Sequence, residues 1–215
     1  MRSTREGTPV AREGYAFIAA GAVLTFLSWL AGWGLVALLF LLVTGWVVWF
    51  FRNPPRLVPR GEGLVVAPAD GRVVRVLEPR DGEPAVGIFM NVLDVHVNRL
   101  PVSGEVTEVA YTPGTFVNAS LDKASQDNER NRVTMRTPTG HEVTFVQVAG
   151  LVARRIVCWV KAGARGRAGD IFGLIRFGSR VDVHLPTGSD VWVVRGQRVS
   201  AGETILGKLP GGRHE

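Results

Sequence analysis

The 215-residue sequence contains one cysteine, Cys158. A single cysteine excludes an intramolecular disulfide and any metal site built on a pair of cysteines. The neighbours Val157 and Trp159 are apolar, which favours an inert buried thiol over a reactive one. Internal repeats and low-complexity stretches are also lacking, so no repeat architecture organises this chain.

Charged side chains are absent from residues 15–51. As a single helix this run would be about 55 Å long, whereas the hydrocarbon core of a bilayer is about 30 Å thick. The sequence Gly32-Trp33-Gly34 predicts a break near the middle, with arms at residues 15–31 and 35–51. We therefore predict a membrane-associated hydrophobic helical hairpin. The alternative, a helix pair in a soluble core, fits less well because no face of the run is polar.

Arginines flank the outer ends of this run but not its centre. The positive-inside rule then places both ends in the cytoplasm, and the remaining chain on the cytoplasmic side of the cell membrane. Each arm is near the lower length limit for a span, so full spanning and re-entrant insertion both remain open. A cleaved signal peptide fits poorly because the run is long and lacks a clear small-residue cleavage site. The flanking arginines are Arg2, Arg5, Arg12, Arg52, Arg56 and Arg60.

Beyond the hairpin the sequence changes to short valine-rich segments. Pro54, Pro55 and Pro59 end the helix and make a stiff linker. Turn signals such as Asp81-Gly82 separate the valine-rich segments, which predicts a mainly β domain with a sandwich or barrel-like arrangement. The predicted organisation is a basic tail (1–14), a hairpin (15–51) and a β-rich domain (52–215).

The formal charge of +6 favours acidic partners, either anionic lipid or nucleic acid. Nucleic acid is the weaker candidate because aromatic residues are not interleaved with basic ones in the β domain. Exposed β edges together with a membrane anchor also leave self-association into a higher oligomer open.

The sequence Arg176-Phe-Gly-Ser-Arg-Val-Asp182 lies between predicted strands at residues 171–177 and 180–185, and the second strand alternates as a half-buried strand does. A Gly-Ser pair alone indicates only a turn. Several motifs together resemble the phosphatidylserine decarboxylase family, most closely its short bacterial and archaeal branch. These motifs are Asn53-Pro-Pro55, Ala67-Pro-Ala-Asp-Gly71, Asp94-Val-His-Val-Asn-Arg-Leu-Pro101, Asp122-Lys-Ala-Ser125, Asn128-Glu-Arg-Asn131, Ala149-Gly-Leu-Val-Ala-Arg-Arg-Ile156 and Gly178-Ser179.

The resemblance implies a proenzyme that cleaves itself. The Ser179 hydroxyl attacks the carbonyl of Gly178, where no Cβ obstructs it, and elimination and hydration then leave a pyruvoyl group at residue 179. Chains 1–178 and 179–215 would form a heterodimer. The pyruvoyl group forms a Schiff base with the amine of phosphatidylserine and withdraws electrons as CO2 leaves. Phosphatidylethanolamine is the product, with no pyridoxal phosphate and no metal.

His96 lies in a segment whose alternation puts Asp94, His96 and Asn98 on one face. On spacing alone this face can equally be a solvated strand surface. The resemblance implies that His96 serves in decarboxylation. The longer bacterial form has a second histidine three residues later, in its self-cleavage triad; Arg99 stands there and stays protonated. Either His96 serves both steps or another group activates Ser179.

Asp70 precedes a glycine in a pattern typical of a turn. The resemblance implies that it is the catalytic aspartate that orients or activates the cleavage machinery. Three basic residues, Lys123, Arg130 and Arg132, can meet a phosphate headgroup, although a solvated loop is as compatible with this composition. His184 lies beside the cleavage site, but its pattern favours an ordinary strand histidine.

A non-enzymatic, membrane-anchored β module that binds acidic lipid or a protein partner is the rival hypothesis. It explains the hairpin, the charge and the strands. It does not explain why Gly178-Ser179, Asp70 and His96 all occupy family positions. The lipid tails remain open, because diacyl and ether-linked (archaeal-type) serine lipids share one headgroup.

Overall fold

The computed structural model describes residues 8–77, 83–114, 128–150, 156–176 and 179–211. These residues form two compact units, one ending at Pro55 and the other beginning at Arg56. The first unit is helical and the second is built of strands.

Two helices joined by a tight turn make up the N-terminal unit. A short 3-10 helix, Arg12–Gly14, leads into α1 at Tyr15–Leu30, and α2 follows at Gly34–Phe50. Gly32 lies in the turn with a φ of +76°, a backbone conformation that favours glycine. The predicted helical hairpin with a central break is confirmed.

Apolar side chains cover the outside of this helix pair. Trp29, Leu35 and Leu42 are 63%, 86% and 64% exposed. Such a surface is unfavourable in water and favourable in lipid. By length and composition, Arg12–Leu30 can cross a membrane, whereas Gly34–Phe50 is shorter.

The second unit contains the strands, all paired antiparallel. The described strands are β1 Leu64–Val66, β2 Gly71–Leu77, β3 Ala85–Met90, β4 Val97–Arg99, β5 Gly104–Thr112, β6 Arg130–Arg136, β7 Glu142–Ala149, β8 Ile156–Cys158, β9 Arg165–Gly166, β10 Ile171–Ile175, β11 Ser179–His184, β12 Asp190–Val191, β13 Arg198–Val199 and β14 Ile205–Lys208.

Eight of these strands form one sheet, in the order β13-β2-β3-β11-β7-β6-β5-β9. Two three-stranded sheets have the orders β1-β14-β12 and β4-β10-β8. The mainly β prediction is confirmed, and the described strands do not close the large sheet into a barrel. Apolar residues from all three sheets form the core, and burial of this surface is the main stabilising contribution. Core residues include Val65, Val73, Ile88, Met90, Val133, Phe145, Phe172, Val181 and Leu206.

Ser179 lies where the chain has passed from one sheet to another. β10 ends at Ile175 in the sheet with β4 and β8, whereas β11 begins at Ser179 in the middle of the large sheet, between β3 and β7. The rings of Phe145 in β7 and Phe172 in β10 pack edge to face at 4.8 Å and join these two sheets. The segments flanking the Gly-Ser sequence therefore belong to different sheets and do not form a hairpin.

The prediction that β11 is half-buried is wrong. Arg180 is fully buried and Asp182 nearly so, although they lie on the face opposite Val181 and Val183. The Nε atom of Arg180 is 2.8 Å from Oδ1 of Asp182. This pairing offsets part of the cost of burying both charges, so a strand with polar alternation is covered on both faces.

Candidate active site

Ser179 is the first residue of a central strand and is fully buried. Its register partners are Met90 in β3 and Ala149 in β7. Its hydroxyl lies 4.0 Å from the sulfur of Met90, a weak hydrogen-bond acceptor. The hydroxyl is thus held in a nearly apolar environment at one end of the large sheet.

His96 is brought to the strand that leads to Ser179. The amide of Ile175, the last residue of β10, donates to the carbonyl oxygen of His96 at 3.3 Å. β4 begins directly after His96 and pairs with β10. The ring is fully buried, and its Nδ1 lies 3.0 Å from the carbonyl oxygen of Asp94. Because a carbonyl oxygen only accepts, Nδ1 carries the proton in the neutral ring and Nε2 is the basic atom.

A row of buried amides ends at the same methionine. Asn131 donates to Gln147 at 3.1 Å, and Gln147 donates to Asn98 at 2.9 Å. The Asn98 amide nitrogen then lies 3.6 Å from the sulfur of Met90. Asn98 and Ser179 therefore both contact the thioether of Met90. Asn98 and Asn131 stand in motifs of the sequence, whereas Gln147 and Met90 were not predicted at the site.

Asp70 lies at the Ser179 end of the large sheet, two strands away. It immediately precedes Gly71, where a Cβ would overlap the carbonyl oxygen of Phe89, next to Met90 in β3. The Asp70 carboxylate accepts hydrogen bonds from Arg56 at 2.7 and 2.9 Å and from the amide of Ala201 at 2.7 Å. Among the described contacts, Asp70 binds these groups rather than His96 or Ser179.

Glu203 joins the Asp70 cluster through Arg56, at 3.1 Å. The pKa of Glu203 is lowered, first by the hydrogen bond from the Leu57 amide and then by the nearby charges of Arg56 and Arg99. Asp70 and Glu203 thus lie on either side of the same guanidinium. This arrangement connects the chain before the Gly-Ser sequence with the chain after it.

Comparison with known proteins identifies the family. The profile described as phosphatidylserine decarboxylase matches residues 43–207. The chain belongs to this family. Its relatives are named phosphatidylserine decarboxylase proenzyme: one from Aromatoleum aromaticum is 53% identical over 94% of this chain and 96% of its own. One from Syntrophus aciditrophicus is 48% identical over 92% and 96%, and one from Magnetococcus marinus is 49% identical over 94% and 96%.

The family resemblance seen in the motifs is thereby confirmed, and the chain is a carboxy-lyase of the phosphatidylserine decarboxylase family. Arg99, at the position where the resemblance implies a second histidine in the longer family members, is buried beside the Asp70 cluster. Its amide donates to the carbonyl of Pro68 at 2.8 Å and its guanidinium to that of Gly169 at 2.9 Å. Arg99 therefore holds the backbone before Asp70 and carries a fixed positive charge.

Arg130 and Arg132 lie on the face of the large sheet opposite to that of Ser179. Arg130 pairs with Val148, the neighbour of Ala149, and Arg132 pairs with Val146. Since side chains alternate between faces and Ala149 pairs with Ser179, both arginines point away from it. Lys123 and Gly178, the other predicted site residues here, lie outside the described residues.

His184 lies at the far end of β11, paired with Ala85 and Thr144. Burial lowers its pKa, the charges of Arg75 and Arg132 lower it further, and Asp182 acts in the opposite direction. The structure thus separates His184 from Ser179 along the strand. Across the described ranges, no group of three or more His, Cys, Asp or Glu side chains is placed to hold a metal ion.

Proposed function

We propose that this chain decarboxylates phosphatidylserine to phosphatidylethanolamine, with a pyruvoyl group made from Ser179 by self-cleavage after Gly178. The observation that carries the proposal is the placement of Ser179. It is fully buried, begins a central strand, and follows the strand end that binds the backbone of His96. The proenzyme names of the relatives support the same processing.

The surroundings of Ser179 fit a small, uncharged carbonyl group. Met90 and Ala149 flank the residue with apolar atoms, and the amide of Asn98 donates to the Met90 sulfur. A pyruvoyl group here would supply the electron-withdrawing carbonyl that loss of CO2 from a serine headgroup requires.

His96 is the proposed proton donor for the substrate carbon after CO2 leaves. The backbone contact of Nδ1 with Asp94 fixes the ring, so proton exchange takes place at Nε2. Burial also keeps bulk water from this atom, which protects a carbanion from uncontrolled protonation. Whether the same nitrogen also assists the self-cleavage is decided by the cleavage state of a His96 variant.

Asp70 is proposed to align the cleavage site by binding both sides of it. Its carboxylate holds Arg56 before the site and the Ala201 amide after it. The Asp70→Asn variant is expected to cleave more slowly, seen as residual uncut chain on a denaturing gel. Asp190→Asn, at an exposed position in β12, is the matched control. Complete cleavage of Asp70→Asn at the wild-type rate would contradict this role.

The two product chains would remain associated as a heterodimer. Strands β11, β13 and β14 lie after the cleavage site, and they pair with β3 and β7, with β2, and with β1. β11 alone shares six registered residues with each of two neighbours. Separation would therefore break the centre of the large sheet, which is why both chains should be needed for activity.

The proposed location is the cytoplasmic face of the cell membrane, where the substrate is a bilayer lipid. The apolar helix pair supports attachment, and the arginines at its ends support a cytoplasmic orientation. A reporter enzyme fused to the C-terminus tests this orientation. A reporter that is active only in the periplasm should show no activity in this fusion, whereas a reporter that is active in the cytoplasm should be active. The opposite result would contradict the orientation.

The test of the whole proposal is CO2 release from phosphatidylserine vesicles. Wild type should be active, whereas Ser179→Ala should remain one chain and lose activity. Ser189→Ala, a second buried serine in the small chain whose hydroxyl binds only to the local turn at Pro186, is the matched control and should be cut and active. A folded, active Ser179→Ala protein would overturn the proposal. If the cut wild type is inactive on both diacyl and ether-linked serine lipids, a membrane-anchored binding module would be favoured instead.

A further inference from the structure

The connection between β3 and β4 carries two exposed apolar side chains. Val92 is 45% and Leu93 60% exposed. The turn itself is well fixed: the amide of Asn91 donates to Asp94 at 2.9 Å, and the amide of Leu93 donates to Asn91 at 2.8 Å. An ordered turn therefore holds two hydrophobic side chains outward, which is unfavourable in water alone.

This turn lies at the candidate active site. It directly follows Met90, the register partner of Ser179, and directly precedes the buried segment with His96. Met90 and Asp94 are buried and Asn91 is half-buried, whereas Val92 and Leu93 protrude. Any surface that covers these two side chains therefore lies next to the end of the sheet where Ser179 begins β11.

Positive charge accompanies the turn. Arg198 in β13 lies 3.7 Å from the Asp94 carboxylate, and its side chain is still 67% exposed. Arg198 is the cross-strand partner of Arg72, which is also exposed. Asp94 is mostly buried and already accepts from the Asn91 amide. The exposed surface beside the turn is therefore cationic.

We infer that Val92, Leu93, Arg72 and Arg198 form a docking tip that inserts into an anionic lipid surface. Apolar side chains enter the boundary between headgroups and acyl chains, and arginines bind the lipid phosphates. The inference rests on the proposed function, since a decarboxylase of membrane phosphatidylserine must bring its buried serine to a bilayer. A protein surface would not require cations around the apolar tip, whereas an anionic bilayer does.

The test measures insertion directly, without relying on turnover. Leu93→Cys is made in a Cys158→Ser background, labelled with a polarity-sensitive fluorophore, and the full chain is reconstituted in phosphatidylcholine discs with or without phosphatidylglycerol. Cys158 is half-buried and burial raises its pKa, so its removal is a precaution against slow labelling. Thr139→Cys, in the exposed turn between β6 and β7 at the opposite end of the sheet, is the matched control.

The label at residue 93 should become blue-shifted and should be quenched by lipids with a nitroxide near the headgroup, more strongly when phosphatidylglycerol is present. The label at residue 139 should stay accessible to aqueous iodide. Adding Arg198→Gln should lower the apparent equilibrium constant for docking of the label on discs with phosphatidylglycerol by about fivefold. Equal aqueous quenching at both positions would overturn the docking tip.

A kinetic comparison separates failure of this inference from failure of the proposed function. Leu93→Ser should raise the KM for vesicle phosphatidylserine severalfold, and leave self-cleavage and turnover of a dispersed short-chain phosphatidylserine unchanged. An unchanged KM on vesicles would contradict the tip while preserving the decarboxylase. If wild type turns over neither substrate, the proposed function fails, and the fluorescence result alone decides whether the tip inserts.

Discussion

His96 is the residue on which the proposed chemistry depends most. It lies beside the strand that leads to Ser179, and its Nδ1 contact with a backbone carbonyl fixes which nitrogen is basic. The resemblance implies a second histidine in the longer family form, as part of its self-cleavage triad. In this chain the second position holds Arg99, whose guanidinium binds a carbonyl oxygen and cannot accept a proton.

Replacing His96 with glutamine should therefore lower turnover of phosphatidylserine by about 10² to 10⁴-fold, the usual contribution of a general acid. The rate of CO2 release from vesicles measures this, with kcat falling more than KM changes. His141→Gln, in the turn that begins at Thr137, is the control and should keep wild-type turnover. Wild-type kcat in His96→Gln would contradict the assignment, and a denaturing gel shows whether the variant is still cut.

Much of the candidate site could be predicted at this scale, but not its supporting contacts. Ser179, His96 and Asp70 lie in local motifs that a reader of the sequence can recognise. Gln147 could have been noticed as a polar residue in the inward row with Val143 and Phe145. Its partners, however, come from β4 and β6, and such contacts between distant segments have no local signal.

At the scale of elements, the valine-rich segments and the turn residues between them predicted the mainly β domain, because alternation and turn residues are local properties. Strands β9 and β13, which like β12 have two residues, were missed because two residues carry no period. The change of sheet between β10 and β11 also could not be predicted from the sequence. A short glycine-containing connection between two strands looks like a hairpin, and the strand pairing is what shows two sheets.

Gly173 in β10 allows the amide row to approach the strand that precedes Ser179. A Cβ there would come 2.5 Å from the carbonyl oxygen of Val157 and 2.7 Å from Nε2 of Gln147. Gly173→Ala should therefore destabilise the fold by about 1 to 3 kcal/mol through overpacking. Thermal unfolding measures this, and Gly211→Ala, where a Cβ meets open space, is the control. Equal unfolding temperatures for the two variants would contradict the close packing.

His184 gives β11 a pH-dependent contribution to stability. Burial lowers its pKa below the usual 6.5, with Arg75 and Arg132 lowering it further. The unfolded chain then binds the proton more readily, so the free energy of unfolding is sustained above pH 6.5 and falls as the pH drops below it. His184→Gln should reduce this acid-side loss in unfolding temperatures measured over a pH series. An unchanged slope, with His141→Gln as comparison, would contradict the role of His184.

At the scale of the whole molecule, the family assignment and the fold lead to one central claim. We propose that the chain becomes an enzyme by cutting itself and that the two product chains stay paired. The small chain would contribute β11 to the centre of the large sheet, β13 to the edge of that sheet beside β2, and β14 to the middle of the sheet with β1 and β12. The Asp70 cluster adds two contacts between the large and small chains. Arg56 forms an ion pair with Glu203, and the Asp70 carboxylate accepts a hydrogen bond from the Ala201 amide.

The most direct test is the intact mass of the protein purified in detergent, recorded under denaturing and native conditions. The account predicts two chains, 1–178 and 179–215, with the smaller about 17 Da lighter than a chain starting with serine, because the pyruvoyl terminus has lost ammonia. Under native conditions the two masses should appear as one complex. A single uncut chain near 23.3 kDa in a folded preparation would contradict the claim.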